Sequence, residues 1–228
     1  MTPARGDHEA RRTEVSEAVW RVLSTRGFEG LTLRAVAAEM GATTGLLTHY
    51  FPGKKALVAH ALEVLDRRSQ ARPRRLAPAE GQPPPEGLAR LRAALLDVLP
   101  LDGPGRAGNR IWVGSWDVAL ADPELAAAHA ARYARARGLL AECVGAARRL
   151  GELPDGPPAA EVAAAAQAFV LGLVVQALFA PAEFPARRQT ELLDDYLARL
   201  VAGGDAPGRS GGGDADGGVG PDAGGSSA

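Results

Sequence analysis

The residues with the most chemical promise lie together in 32–55, TLRAVAAEMGATTGLLTHYFPGKK. Thr32 is a natural N-cap for a short helix over 33–40 whose inner face is Leu33, Val36, Ala37 and Met40, and Gly41 closes it. A second short helix over about 44–50 turns Leu46, Leu47 and Phe51 inward and leaves Thr44, Gly45, Thr48 and His49 outward. Two short helices joined through a glycine, with the small Ala37 at their crossing, have the geometry of a helix-turn-helix, whose second helix enters the major groove of DNA. Small polar residues on the outer face let that helix sink close to base edges.

The surrounding elements must hold this pair in place. Val15, Ala18, Val19, Val22 and Leu23 keep the i, i+3/i+4 spacing of one buried helix face, and Gly27 ends that helix. Pro52-Gly53 breaks the chain before a helix from Lys54 to about Arg72. Five prolines in 73–87 stop any helix from passing through. Further helices are expected at 87–99, 106–120, 123–150, 159–180 and 186–202, with Asp122-Pro123 as a cap followed by proline at the first helical position. No segment reads as a strand. The predicted fold is all-α: an N-terminal three-helix helix-turn-helix DNA-binding domain and a C-terminal helical ligand-binding and dimerisation bundle. The expected organisation is a flexible N-terminus over 1–10, the DNA-binding domain over 11–72, a linker over 73–87, the second domain over 88–202, and a disordered tail over 203–228, where 11 of 26 residues are glycine.

Composition limits the remaining classes. The 228 residues are 46% hydrophobic and 23% charged, enough for a sizeable core. The net charge of -1 conceals an asymmetry. Residues 1–75 carry 13 Lys+Arg against 8 Asp+Glu, and the remainder 13 against 19, as expected of a polyanion-binding head on a body with another task. Cys143 is the lone cysteine, which excludes an intrachain disulfide and a cysteine-based zinc site. The apolar runs read as shorter than the ~18 residues of a membrane span, so no membrane partner and a cytoplasmic location are expected. His8, His49, His60 and His129 form no i, i+4 metal pair, and Asp194-Asp195 lacks a third aspartate because position 198 is Ala198. Ser115 lacks the strand-turn-helix setting of a nucleophile. Neither catalysis nor a metal or other cofactor is expected.

The segment from about Arg12 to Leu62 resembles the DNA-binding domain of the tetracycline-repressor family, on the features STRGFEG, TLRAVAAEMG, ATTGLLTHYF and the lysine after Pro-Gly. The resemblance implies phosphate contacts from Thr32 and Lys54, phosphate or base contacts from Thr43 and Thr44, and base or phosphate contacts from His49 and Tyr50. Position 48, often tyrosine in the family, is Thr48 here. The recognition segment also lacks Arg, Lys, Asn and Gln, the usual bidentate base readers, so Arg34, at a family position that reaches the groove, is nominated as the guanine reader. Lys55 reads equally well as a solvated side chain.

Residues 88–202 resemble the ligand-binding and dimerisation domain of the same family, and GNRIWVGSWDVALADPELAAAHAARYARARGLLAECV resembles the subgroup of choline-responsive repressors of betaine synthesis. This implies a homodimer on a pseudo-palindromic operator in double-stranded DNA, released by a small-molecule effector. Candidate effector residues are Trp112, Trp116, Tyr133, Phe169 and Gln176. Trp112 and Trp116 share a helix face as a pocket wall or as a packing stripe, and Gln176 interrupts an apolar run where it orients a ligand or meets a second subunit. A body that binds a protein partner, or an activator, is the alternative.

Overall fold

The computed structural model describes residues 5–71 and 83–203. Ten helices occur among them. The head is α1 (Arg5–Arg26), α2 (Leu33–Glu39), α3 (Thr44–Tyr50) and the connecting helix α4 (Lys54–Ala71). The body is α5 (Gly87–Leu96), α6 (Gly103–Gly114), α7 (Trp116–Leu120), α8 (Pro123–Arg149), α9 (Ala159–Phe179) and α10 (Ala186–Val201). The tail expected over 203–228, beyond Gly203, and most of the linker expected over 73–87 lie outside the described residues. Residues 5–10, expected as a flexible lead-in, continue α1.

Local signals set most boundaries. α2 ends in a Schellman turn: Gly41 adopts φ +63°, its N–H donates to Ala38 O, and Ala42 N–H reaches Ala37 O at 2.9 Å. Gly151 closes α8 in the same way, with φ +72° and Glu152 N–H donating to Ala147 O. At the start of α8, Asp122 Oδ1 accepts from the Glu124 and Leu125 N–H groups at 2.9 and 3.2 Å.

The helix expected over 106–120 is corrected at two points. It begins at Gly103, because Asp102 Oδ1 accepts from Gly105 N–H and Pro104 is harmless in a first turn whose N–H groups are unpaired anyway. It also breaks at buried Ser115, whose hydroxyl donates to Trp112 O at 2.6 Å and competes with the helical ladder. The result is two helices, α6 and α7, that meet at Ser115.

Two apolar clusters organise the chain. The first joins the inner faces of α1 to α4, with Val19, Val22, Leu47, Phe51 and Leu57 buried, and extends through Ile111, Ala119 and Leu125 into the body. The second lies among α5, α8, α9 and α10 around Leu91, Leu95, Val144, Val170 and Leu193, and Cys143 is buried there as a small apolar residue. The expectation about membrane spans is also corrected: α9 is long and apolar enough to cross a membrane, since 162–179 holds 18 residues without a charge. Here one face of α9 packs on α8 and α5, and the other is exposed.

Candidate DNA interface and effector site

α3 is seated through buried Leu47 and Phe51 and half-buried Leu46, which leaves Thr43, Thr44, Gly45, Thr48 and His49 exposed. Both threonines that open the short helices are caps. Thr32 Oγ1 accepts from Ala35 N–H at 3.0 Å, and Thr43 Oγ1 accepts from Leu46 N–H at 3.4 Å. Capping uses a lone pair of each hydroxyl and leaves its proton to donate, as a phosphate oxygen requires. Thr48 differs: its hydroxyl donates to Gly45 O at 2.9 Å, so it presents a methyl group and an acceptor outward. A Cβ on Gly45 would meet nothing closer than Thr43 Oγ1 at 3.9 Å, so the fold itself does not demand glycine there. Tyr50 is half-buried, packs against the head cluster and meets His49 edge-on at 5.8 Å. Arg34 and Lys54 are exposed beside this face.

Lys55 is not a free solvated side chain. Its Nζ lies 3.0 Å from Asp122 Oδ2 and 2.9 Å from Glu124 Oε2, so it ties the start of α4 to the start of α8. The same contacts hold the Asp122 carboxyl below the ordinary carboxylate range, chiefly through the Lys55 hydrogen bond. Asp122→Ala is expected to lower the melting temperature by a few degrees in calorimetry, whereas Asp122→Asn, which caps equally well, is expected to keep most of the stability and lose only the negative charge facing Lys55. Equal losses for both variants would show that the ion pair outweighs the cap.

Three of the five candidate effector residues meet. Tyr133 Oη accepts from Trp112 Nε1 at 3.0 Å and from Trp116 Nε1 at 2.9 Å, which gathers α6, α7 and α8 around one phenol. Burial pushes the Tyr133 pKa up, against the two indole bonds. The other two lie elsewhere. Phe169 stacks on Tyr196 at 4.5 Å in the second apolar cluster, and Gln176 is exposed on α9. α9 is apolar on nearly every side, so periodicity did not reveal which of its faces meets α8.

The sequence reading did not place His129, Arg132 or Gln167 in this neighbourhood. His129 stacks on Trp112 at 4.7 Å and its Nε2 lies 3.1 Å from Ser115 Oγ, whose own proton is directed to Trp112 O. The Arg132 guanidinium sits 5.1 Å from the Trp112 ring centroid, and its Nε donates to Asp66 Oδ1 at 2.9 Å. Gln167, 8% exposed, donates to Tyr133 O and accepts from Arg137. The spacing of His129, Arg132 and Tyr133 at i, i+3, i+4 on one helix was the available signal.

One buried imidazole and one half-buried imidazole set a pH dependence. His129 is lowered below 6.5 by burial and then by Arg132. His60, packed on Phe51 and bonded to Ser16 Oγ, is lowered below 6.5 by burial, with Arg67 and Arg12 adding to the effect and Glu63 opposing it. Above about pH 6.5 both imidazoles are neutral folded or unfolded. Below it the unfolded chain takes up protons that the folded chain refuses, so stability is expected to fall from pH 7 to 5.5 in urea denaturation. The paired His60→Gln/His129→Gln variant is expected to flatten that slope, and an unchanged slope would place its origin elsewhere.

An exposed, threonine-capped recognition helix on a helical head, joined to a larger helical body, defines a helix-turn-helix DNA-binding regulator. Residues 16–61 match the family of bacterial regulatory proteins called the tetR family, and residues 87–202 match the BetI-type transcriptional repressor C-terminal domain. The HTH-type transcriptional regulator BetI of Burkholderia thailandensis is 27% identical over 203 residues, which cover 88% of this chain and 98% of that protein. A transcriptional regulator from Rhodococcus sp. Rha1 superposes with a TM-score of 0.69 at 26% identity, covering 86% of this chain and 99% of that one. A regulator from Saccharomonospora viridis, solved in complex with choline, shares the fold with a TM-score of 0.72 at 21% identity, covering 85% of this chain and 98% of that one. The chain belongs to the TetR family of transcriptional regulators and carries a BetI-type repressor body. Its function is ligand-responsive regulation of transcription through DNA binding.

Proposed function

We propose that two copies of this chain act in the cytoplasm as a repressor on a pseudo-palindromic operator, and that a small molecule bound in the body releases them. The observation that carries the operator reading is the exposed face of α3, flanked by capping hydroxyls with free protons and by Arg34 and Lys54. In this reading Thr32, Thr43 and Lys54 hold phosphates, Thr44, Gly45, Thr48 and His49 approach base edges, Tyr50 braces the helix from beneath, and Arg34 reads guanine. One short helix reads few bases, so two-fold pairing supplies the rest of the affinity.

The exposed face of α9 supports the pairing. Ala160, Ala164, Ala168, Gly172 and Gln176 follow one another at i+4 along it, and Phe179 stands 82% exposed at its end. Small residues let two such helices approach closely, and Gln176 would sit between subunits. The effector reading rests on the Trp112, Trp116 and Tyr133 cluster, which borders the Arg132–Asp66 link to α4. Choline, present in the Saccharomonospora viridis regulator, is the first compound to titrate. Arg132 already places a cation near Trp112, so a quaternary ammonium would have to share or replace it.

Selection of bound duplexes from a random pool tests this function. Two inverted half-sites at fixed spacing are the expected result, and enrichment of a single unpaired site, or of nothing, overturns it. The selected duplex then serves for release assays with choline and other small molecules.

A further inference from the structure

A cleft of about 520 Å³ lies at the seam between head and body, and Trp112, Trp116 and Tyr133 are not among its lining residues. The last turns of α1 supply Leu23, Ser24 and Thr25, and α6 supplies Arg106, Arg110 and Ile111. Its charge is one-sided. The two arginines stand one helical turn apart, and no carboxylate lines the cleft. Asp102, four residues before Arg106, is outside the lining and gives one carboxylate oxygen to the Gly105 N–H at 2.6 Å.

The arginines are also unspent. Arg21, Arg68, Arg92, Arg132 and Arg187 each hold a carboxylate, and Arg137 and Arg148 hold carbonyl oxygens. Arg106 and Arg110 pair with none of the described residues, although Arg106 is half-buried. Half-buried Arg106 and exposed Arg110, one turn apart, can present several N–H donors to the same oxygens, and charge-assisted bonds of this kind are strong. Leu23 and Ile111 give the floor an apolar character. The Ser24 and Thr25 hydroxyls on the facing wall donate to Trp20 O and Arg21 O, so the two guanidiniums are the donors that the cleft offers an anion.

We propose that this cleft binds an organic oxyanion with a short apolar body, held by Arg106 and Arg110, as a second ligand site separate from the aromatic cluster. Because α1 and α6 pack together here, an occupant sits between the DNA-binding head and the helix that carries Trp112.

Calorimetric titration of the full chain tests this with three probes sharing one tail: octanoate, octyl phosphate and octyltrimethylammonium. Saturable binding of one equivalent per chain is expected for at least one anion, with the preferred anion separating a carboxylate ligand from a phosphate ester, and any binding of the cation is expected to be insensitive to Arg106 and Arg110. The variant R106Q/R110Q is expected to lose at least tenfold in affinity, whereas the charge-matched R135Q/R149Q, both exposed on α8, keeps it. Thermal melts confirm that each variant folds. Anion binding unchanged in R106Q/R110Q, cation binding weakened as much as anion binding by that variant, or no saturable anion binding overturns the proposal. No duplex enters the measurement, so failure here leaves the operator reading intact, and failure of that reading leaves this one.

Discussion

Arg34→Ala is expected to weaken binding of the selected operator by about 1–3 kcal/mol per half-site, hence about 2–6 kcal/mol for a dimer bound at both. The argument is one of reach and inventory. The outward residues of α3 are short, and the Thr48 proton is turned back to Gly45 O, so the helix itself has no long donor for the O6 and N7 pair of guanine. Arg34, exposed in the first turn of α2 with no partner among the described residues, is the long planar donor beside it. Anisotropy titrations at fixed salt on the selected duplex, and on duplexes changed at one base pair per half-site, distinguish its two possible roles. A guanine reader removed by mutation relaxes preference at one position. A phosphate contact removed by mutation weakens every sequence alike and lowers the salt slope by about 1 per contact.

What the sequence made legible was local. Thr32, Thr43, Gly41 and Gly151 act within a turn of themselves, so their types and neighbours were enough to place helix ends and to bring the outer face of α3 into view. The misplaced start of α6 is the instructive exception. Gly103-Pro104-Gly105 looks like a breaker until Asp102 is credited as its cap. Contacts across the chain were not legible. Lys55 meets Asp122 and Asp66 meets Arg132, and nothing in their spacing announces either pair. Gln176 drew attention because it interrupts an apolar run, whereas Gln167, nine residues earlier, is the one that turns inward to Tyr133. Which side of α9 faces α8 is decided by the partner helix rather than by α9. The first apolar cluster likewise runs from the head into α6, α7 and α8, so the proline-rich break in sequence does not mark a break in packing.

That continuous seam gives the ion pair between Asp66 and Arg132 its weight. Their side chains are 25% and 18% exposed, and the pair joins the connecting helix to the helix bearing Tyr133 and His129. Replacing Arg132 by leucine strands a poorly hydrated carboxylate on α4. A fully buried pair broken in this way costs about 3–5 kcal/mol; solvent access at this one brings the expectation to about 2 kcal/mol in urea denaturation. Asp66→Asn is expected to cost less, because a neutral amide is easier to leave unpaired. Asp66→Asn combined with Arg132→Leu is expected to fall short of the sum of the two, and strict additivity would show that the pair contributes nothing of its own. The same cycle reads coupling. If the aromatic cluster moves the head through this contact, the double variant still binds the selected duplex but loses most of the effector's leverage on it, since an effector shifts operator affinity only through contacts that differ between the two states. Retention of full effector response in that variant would route the signal through the Lys55 tie or the α1 and α6 seam instead.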